Sequence, residues 1–147
     1  KGNEVILEIG TGSGYQTSIL SLLSRRVYSI ERIKALLVNA QSCFKKLKLT
    51  NIISEFGDGF LGWPKLAPFD HMIITCAVKK IDNRLLNQIR VNGSCVVPIG
   101  KTKSQQRLKK ITIGNDRNED VWEDLGKVSF VPLITEKDWI IFNFLKH

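Results

Sequence analysis

The sequence predicts an α/β fold: a doubly wound, mostly parallel sheet with an antiparallel C-terminal hairpin, built as one domain over residues 1–147. Three observations predict it. Apolar, β-branched runs alternate with amphipathic helical stretches as far as residue 100. The first of those runs ends in a glycine-rich turn, Gly10-Thr11-Gly12-Ser13-Gly14. Beyond residue 100, two strand-like runs follow one another with no helix between them, which reads as a hairpin on the sheet edge.

Each element follows in order. Val5-Ile6-Leu7-Glu8-Ile9 is β-branched and mostly apolar, a buried strand. Residues 16–23 predict a short helix with Ile19, Leu20 and Leu23 on one face. Residues 27–30 predict a second strand, closed by Glu31. Residues 34–47 carry Leu36, Ala40, Cys43, Phe44 and Leu47 as the stripe of an amphipathic helix. Residues 52–56 predict a third strand, broken by Gly57-Asp58-Gly59, and residues 69–75 a fourth. Residues 83–89 space Leu85, Leu86 and Ile89 for one helix face, with Gly93 as the stop. A fifth strand at 95–97 ends in Pro98-Ile99-Gly100. The last two strands are expected at 108–113 and 128–131, separated by the polar, acidic stretch 115–124. Strands alternating with helices imply right-handed crossovers and a sheet covered on both faces.

Composition narrows the function classes. A hydrophobic fraction of 43% with 24% charged residues excludes disorder. The apolar runs fall well short of the roughly 20 residues a spanning helix needs. Three cysteines, Cys43, Cys76 and Cys95, show no CxxC spacing, so neither a disulfide framework nor a zinc site is indicated, and a cytoplasmic location is expected. The 22 basic against 14 acidic residues leave a net charge of +8, but the basic residues lie in scattered pairs without interleaved aromatics. A solvated basic surface is therefore preferred to a nucleic-acid footprint. The chain opens at Lys1 almost directly into a strand, so it is expected to be a piece of something longer.

The glycine turn carries the chemistry. It lies between the first strand and the first helix, where open α/β sheets bind ligands. Its glycines permit positive φ and close ligand approach, and the helix start offers free amides to a negative group. The spacing is GxGxG; a dinucleotide fingerprint wants its third glycine at position 15, which is Tyr15. That counts against NAD and for another adenosine ligand. Glu31, 21 residues after Gly10, stands where a carboxylate accepts ribose hydroxyls. Asp58, between two glycines at the end of the third strand, could accept from an adenine amino group.

With these motifs the sequence resembles the protein-L-isoaspartate O-methyltransferase family. The resemblance runs from Val5-Ile6-Leu7-Glu8-Ile9-Gly10-Thr11-Gly12-Ser13-Gly14-Tyr15 through Tyr28-Ser29-Ile30-Glu31-Arg32-Ile33 and Gly57-Asp58-Gly59. It continues over Gly62-Trp63-Pro64, Val97-Pro98-Ile99-Gly100 and Gln106 to Phe130-Val131-Pro132-Leu133. It implies a Rossmann-like methyltransferase fold with S-adenosylmethionine as cofactor. It further implies that Gly10, Gly12 and Gly14, with Thr11 and Ser13 in the same turn, line the methionine moiety, and that Glu8 lies near its amino group. Glu31 would hold the ribose and Asp58 with Gly59 the adenine. Thr75-Cys76-Ala77 would lie near the transferred methyl, Cys76 departing from the family's Thr-Ala-Ala. Thr135 would be a loose match to a cofactor-side threonine, given the inserted Ile134. The family's N-terminal Gln-Thr-Ile-Ser-Gln-Pro-like segment is not in this sequence, so no catalytic residue is assigned.

The implied activity is methyl esterification of isoaspartyl carboxylates in damaged proteins, a repair reaction. A carboxylate of pKa about 4 needs no general base, which fits a chain whose histidines, His71 inside a strand and the terminal His147, are poorly placed for one. The expected partners are isoaspartyl proteins and peptides, with no nucleic acid and no membrane, and the expected state is a monomer. Two alternatives stay open: an S-adenosylmethionine-dependent enzyme acting on RNA or a small molecule, and a truncated, non-catalytic cofactor-binding fragment. The apolar run 139–145 is read either as a packed last element or as an exposed patch.

Overall fold

A computed structural model describes residues 2–135 and 138. Among them, seven strands form one sheet: β1 (Val5–Ile9), β2 (Arg26–Glu31), β3 (Ile52–Phe56), β4 (Phe69–Ile74), β5 (Ile89–Ile99), β6 (Arg107–Thr112) and β7 (Val121–Lys127). Their spatial order is β3-β2-β1-β4-β5-β6-β7. β1 to β5 pair in parallel, and β6 runs antiparallel to both of its neighbours. Helix α1 (Tyr15–Leu23) links β1 to β2, α2 (Lys34–Lys46) links β2 to β3, and the one-turn α3 (Asn83–Leu86) lies between β4 and β5. The predicted class, doubly wound and mostly parallel with an antiparallel end, is the observed one.

Register explains where the core sits. Leu7, Met72, Cys95 and Ile111 stand abreast across four strands, and each is at most 1% exposed. Ile9, Ile74 and Val97 extend this layer, and Phe69 closes it at one end. Burying each such side chain contributes about 1.5–3 kcal/mol before conformational entropy is counted. On the opposite face, Ile73, Val96 and Lys110 stand abreast and only half-buried.

Four expectations are corrected. In α1 the inward residues are Thr17 and Ser21, while Ile19 and Leu23 are 40% and 48% exposed. The Thr17 hydroxyl bonds the buried Glu8 carboxylate, and that demand turns the helix. In α2 the buried stripe is Leu37, Ala40 and Phe44, leaving Leu36, Cys43 and Leu47 on the exposed side. The third helix stops at Leu86, and Gly93 lies inside an eleven-residue β5 instead of ending a helix. A Cβ at Gly93 would meet the Asp70 carbonyl oxygen at 2.3 Å, beside the register shift between β4 and β5, so the glycine serves strand approach. Finally, the last strand is 121–127 and not 128–131. The acidic stretch read as a spacer supplies it: Asp124 pairs with Arg107 and Lys109, and Glu123 with Lys110, across an exposed edge. The apolar run 139–145 lies outside the described residues. Among the described residues, no helix is long and apolar enough to cross a membrane.

Candidate functional site

β1 and β4 are neighbours whose connections depart in opposite directions, β1 toward β2 and β4 toward β5, so a crevice opens beyond their carboxyl ends. The glycine turn fills its near side. The Gly10 N–H donates to the Ile30 carbonyl at 2.8 Å, and the Gly14 N–H donates to the Thr11 carbonyl at 2.9 Å as α1 begins. Thr75, just past β4, donates its N–H to Ile9 O at 2.9 Å and its hydroxyl to Gly10 O at 2.6 Å. Gly10 has φ +96°, and a Cβ there would lie 2.2 Å from Thr75 Oγ1. Both facts require glycine.

Two carboxylates flank the turn in different ways. Glu31, at the end of β2 and 6% exposed, accepts from the Gly12 N–H on Oε2 and from the Ile33 N–H on Oε1, both at 2.8 Å. Glu8 is fully buried beneath the turn. Its Oε2 accepts from the hydroxyls of Thr17 and Ser29, its Oε1 from Gln16 Nε2, and Ser29 Oγ lies 2.6 Å from Thr11 Oγ1. Burial pushes the Glu8 carboxyl above its ordinary value, and the hydrogen bonds oppose this.

A cavity of about 200 Å³ occupies the crevice. Of the sequence-predicted residues, Gly10, Gly12, Glu31, Gly59, Thr75 and Cys76 line it. Glu8, Thr11, Ser13, Gly14 and Asp58 do not. Ser13 is exposed, and Gly14 starts α1. Asp58 caps the turn Gly59–Leu61, accepting from the Phe60 N–H at 2.9 Å, and borders an adjoining hollow with Trp63 and Gln88. Thr135 pairs with Asp138 and does not reach the cavity. His71 bonds Ser94 at 3.0 Å on the sheet face, opposite Ile6 and away from the crevice. Burial, helped by the Glu31 charge, pushes the Cys76 thiol up to about 12, so it stays protonated at neutral pH.

Two contributors escaped the residue-by-residue reading. Arg32 lines the cavity and has a buried Nε–H with no acceptor among the described residues. Residues 131–134 form the far wall. They are held by the Ala77 N–H donating to Val131 O at 2.8 Å and the Leu133 N–H donating to Ala77 O at 2.9 Å. The buried Gln106 adds two bonds to Phe130, accepting from its N–H at 2.6 Å and donating to its carbonyl at 3.0 Å. The motif Phe130-Val131-Pro132-Leu133 was the available signal for this wall.

The family model of protein-L-isoaspartate(D-aspartate) O-methyltransferase matches residues 1–138. The chain belongs to that family. Among curated relatives, the protein-L-isoaspartate O-methyltransferase of Caulobacter sp. (strain K31) is 46% identical over 129 residues, covering 88% of this chain and 58% of the relative. That of Dictyoglomus turgidum is 46% identical over 140 residues, covering 95% of this chain and 62% of the relative. The chain thus spans about three fifths of the length of the curated relatives it matches. Among solved structures, one protein-L-isoaspartate O-methyltransferase superposes with a TM-score of 0.82 at 24% identity, over 90% of this chain and 42% of that one. A Plasmodium falciparum β-aspartate methyltransferase, solved in complex with S-adenosyl-L-homocysteine, gives 0.78 at 23% identity, over 90% and 66%. At these identities the two structures establish the shared Rossmann-like methyltransferase fold.

Proposed function

We propose that this chain is the cofactor-binding part of a protein repair enzyme that transfers a methyl group from S-adenosylmethionine to isoaspartyl carboxylates of damaged proteins and peptides. The observation that carries this is the cavity where Gly10, Gly12 and Glu31 converge, in a chain of this family. Its features fit an adenosyl ligand. Each Glu31 oxygen receives one backbone N–H, which leaves lone pairs for two ribose hydroxyls. Ile9, Ile30, Leu36 and Val131 offer apolar walls to a flat ring. A Cβ at Gly12 would meet nothing within 4 Å, so the space beside the turn is open. The orphaned Arg32 Nε–H supplies a donor in need of an acceptor.

In this reading the turn 10–14 holds the methionine part, Glu31 the ribose, and Asp58 with Gly59 the adenine. S-adenosylmethionine, when bound, supplies a methyl group on an electrophilic sulfonium. The isoaspartyl carboxylate, with a pKa of about 4, is already the nucleophile at neutral pH. The chain's residues therefore orient and enclose. Gln106 and Ala77 fix the wall 131–134 against which the ligand is oriented. Cys76, protonated, offers no competing thiolate. The enzyme is read as a monomer in the cytoplasm with no nucleic-acid partner.

The test uses the full-length gene product with methyl-labelled S-adenosylmethionine and a matched pair of peptides. Label entering the isoaspartyl peptide and sparing its aspartyl isomer supports the proposal. Equal labelling, or none by a folded protein, contradicts it.

A further inference from the structure

Glu8 is a fully buried carboxylate at the mouth of the sheet that does not border the cavity. Its surroundings define a direction. The Ser29 hydroxyl has one proton and donates it to Glu8 Oε2 at 2.6 Å. At the 2.6 Å contact between Ser29 Oγ and Thr11 Oγ1, Thr11 must then be the donor. The chain runs from Thr11 in the glycine turn, through Ser29 on β2, to Glu8 on β1, and Thr17 on α1 donates to the same carboxylate oxygen. Ser29 and Thr17 are fully buried and Thr11 is 4% exposed, so water does not substitute for these bonds. The residue after Thr11, Gly12, gives its N–H to Glu31 in the cavity wall.

We propose that Glu8 is a positioning residue: as terminal acceptor of the chain Thr11 to Ser29 to Glu8, it pins the glycine-rich turn from beneath, without touching the ligand. Glu31 pins the same turn from the cavity side, so the two carboxylates divide the work. This deepens the cofactor-site reading and takes from it only the identity of what the turn holds.

Three variants of this chain test it. Thr11→Val removes the first donor and keeps the shape. Ser29→Ala removes the middle link. Glu8→Gln keeps an acceptor, because a carboxamide oxygen can take both hydroxyls. Amide hydrogen exchange is followed at Gly12 without ligand, with Cys95, buried in mid-sheet, reporting global opening. Thr11→Val and Ser29→Ala are each expected to speed Gly12 exchange about tenfold relative to Cys95. Their combination should exceed the faster single variant by less than about twofold, because the chain is broken once. Glu8→Gln should stay within about threefold of the parent chain in Gly12 exchange and in Kd for S-adenosylhomocysteine. Unchanged Gly12 exchange in Thr11→Val, or multiplying effects in the double variant, would overturn the proposal. So would a loss of affinity beyond about tenfold in Glu8→Gln, since that would put the carboxylate charge on the ligand. Exchange at Gly12 needs no ligand, so a chain unable to bind S-adenosylhomocysteine contradicts the functional reading while the positioning role is still decided.

Discussion

Gly10→Ala is the perturbation whose cost the structure lets one work out. At φ +96° an L-residue costs about 1–2 kcal/mol relative to glycine. The added Cβ would lie 2.2 Å from Thr75 Oγ1, so that hydroxyl must leave its acceptors, the carbonyls of Ile9 at 3.0 Å and Gly10 at 2.6 Å. Losing them adds about 1 kcal/mol. The sum, about 2–3 kcal/mol, is a large share of the roughly 5–15 kcal/mol that holds a domain, and corresponds to a Tm lower by roughly 5–10 °C. Denaturant titration of four proteins tests the reasoning: the parent chain, Gly10→Ala, Thr75→Ala, and both together. Thr75→Ala alone should cost about 1 kcal/mol. The double variant should be no less stable than Gly10→Ala, because the hydroxyl is displaced in both. A Gly10→Ala chain within about 0.5 kcal/mol of the parent would refute the account. So would a double variant that adds the Thr75→Ala cost in full.

Further outcomes follow from the same geometry. Gln106→Ala leaves the Phe130 N–H and carbonyl without their partner; stability should fall by about 1–3 kcal/mol and S-adenosylhomocysteine affinity with it, and an unchanged affinity would remove the wall 131–134 from the site. Glu8 has a folded pKa raised above its ordinary 4.5, so the native state holds the proton longer than the unfolded one. Its contribution to stability is intact below that value and falls as pH rises toward the raised pKa. The stability of Glu8→Gln relative to the parent should therefore increase with pH from about 4.5 upward in urea titrations, and a pH-independent difference would contradict this. Of the three cysteines, exposed Cys43 should react with a thiol reagent quickly in the native chain and buried Cys76 and Cys95 only on unfolding; two or more fast equivalents would argue against the packing around β4 and β5.

The legible parts of the chain are those that depend on local pattern. β1 and β3 fall at the predicted residues, because a short β-branched run ending at glycine has one sensible reading as a strand. GxGxG followed by a strand-end acid likewise brings Gly10, Gly12 and Glu31 to one cavity. What stayed hidden depends on distant partners. The inward face of α1 is set by the hydroxyl need of Glu8 on another element, against the hydrophobic period. β7 pairs with β6 through its backbone ladder and turns its acidic side chains to the basic ones of β6 on an exposed edge, so its acidic composition resembled a spacer. Residues 131–134 join the site through the return of the chain over the sheet, where Pro132 pairs beside Ala77, a placement that their own motif marks but does not locate.

The crevice formed by the glycine turn and Glu31 is proposed to bind an adenosyl ligand carrying an amino-acid tail. Calorimetric titration of this chain with S-adenosylhomocysteine tests it most directly, with NAD as a control and Glu31→Ala and Asp58→Ala beside it. Saturable binding that NAD does not reproduce is expected, weakened by about tenfold or more in Glu31→Ala and measurably in Asp58→Ala. A folded chain that fails to bind, or that binds NAD equally well, or a Glu31→Ala variant that binds undiminished, would contradict it.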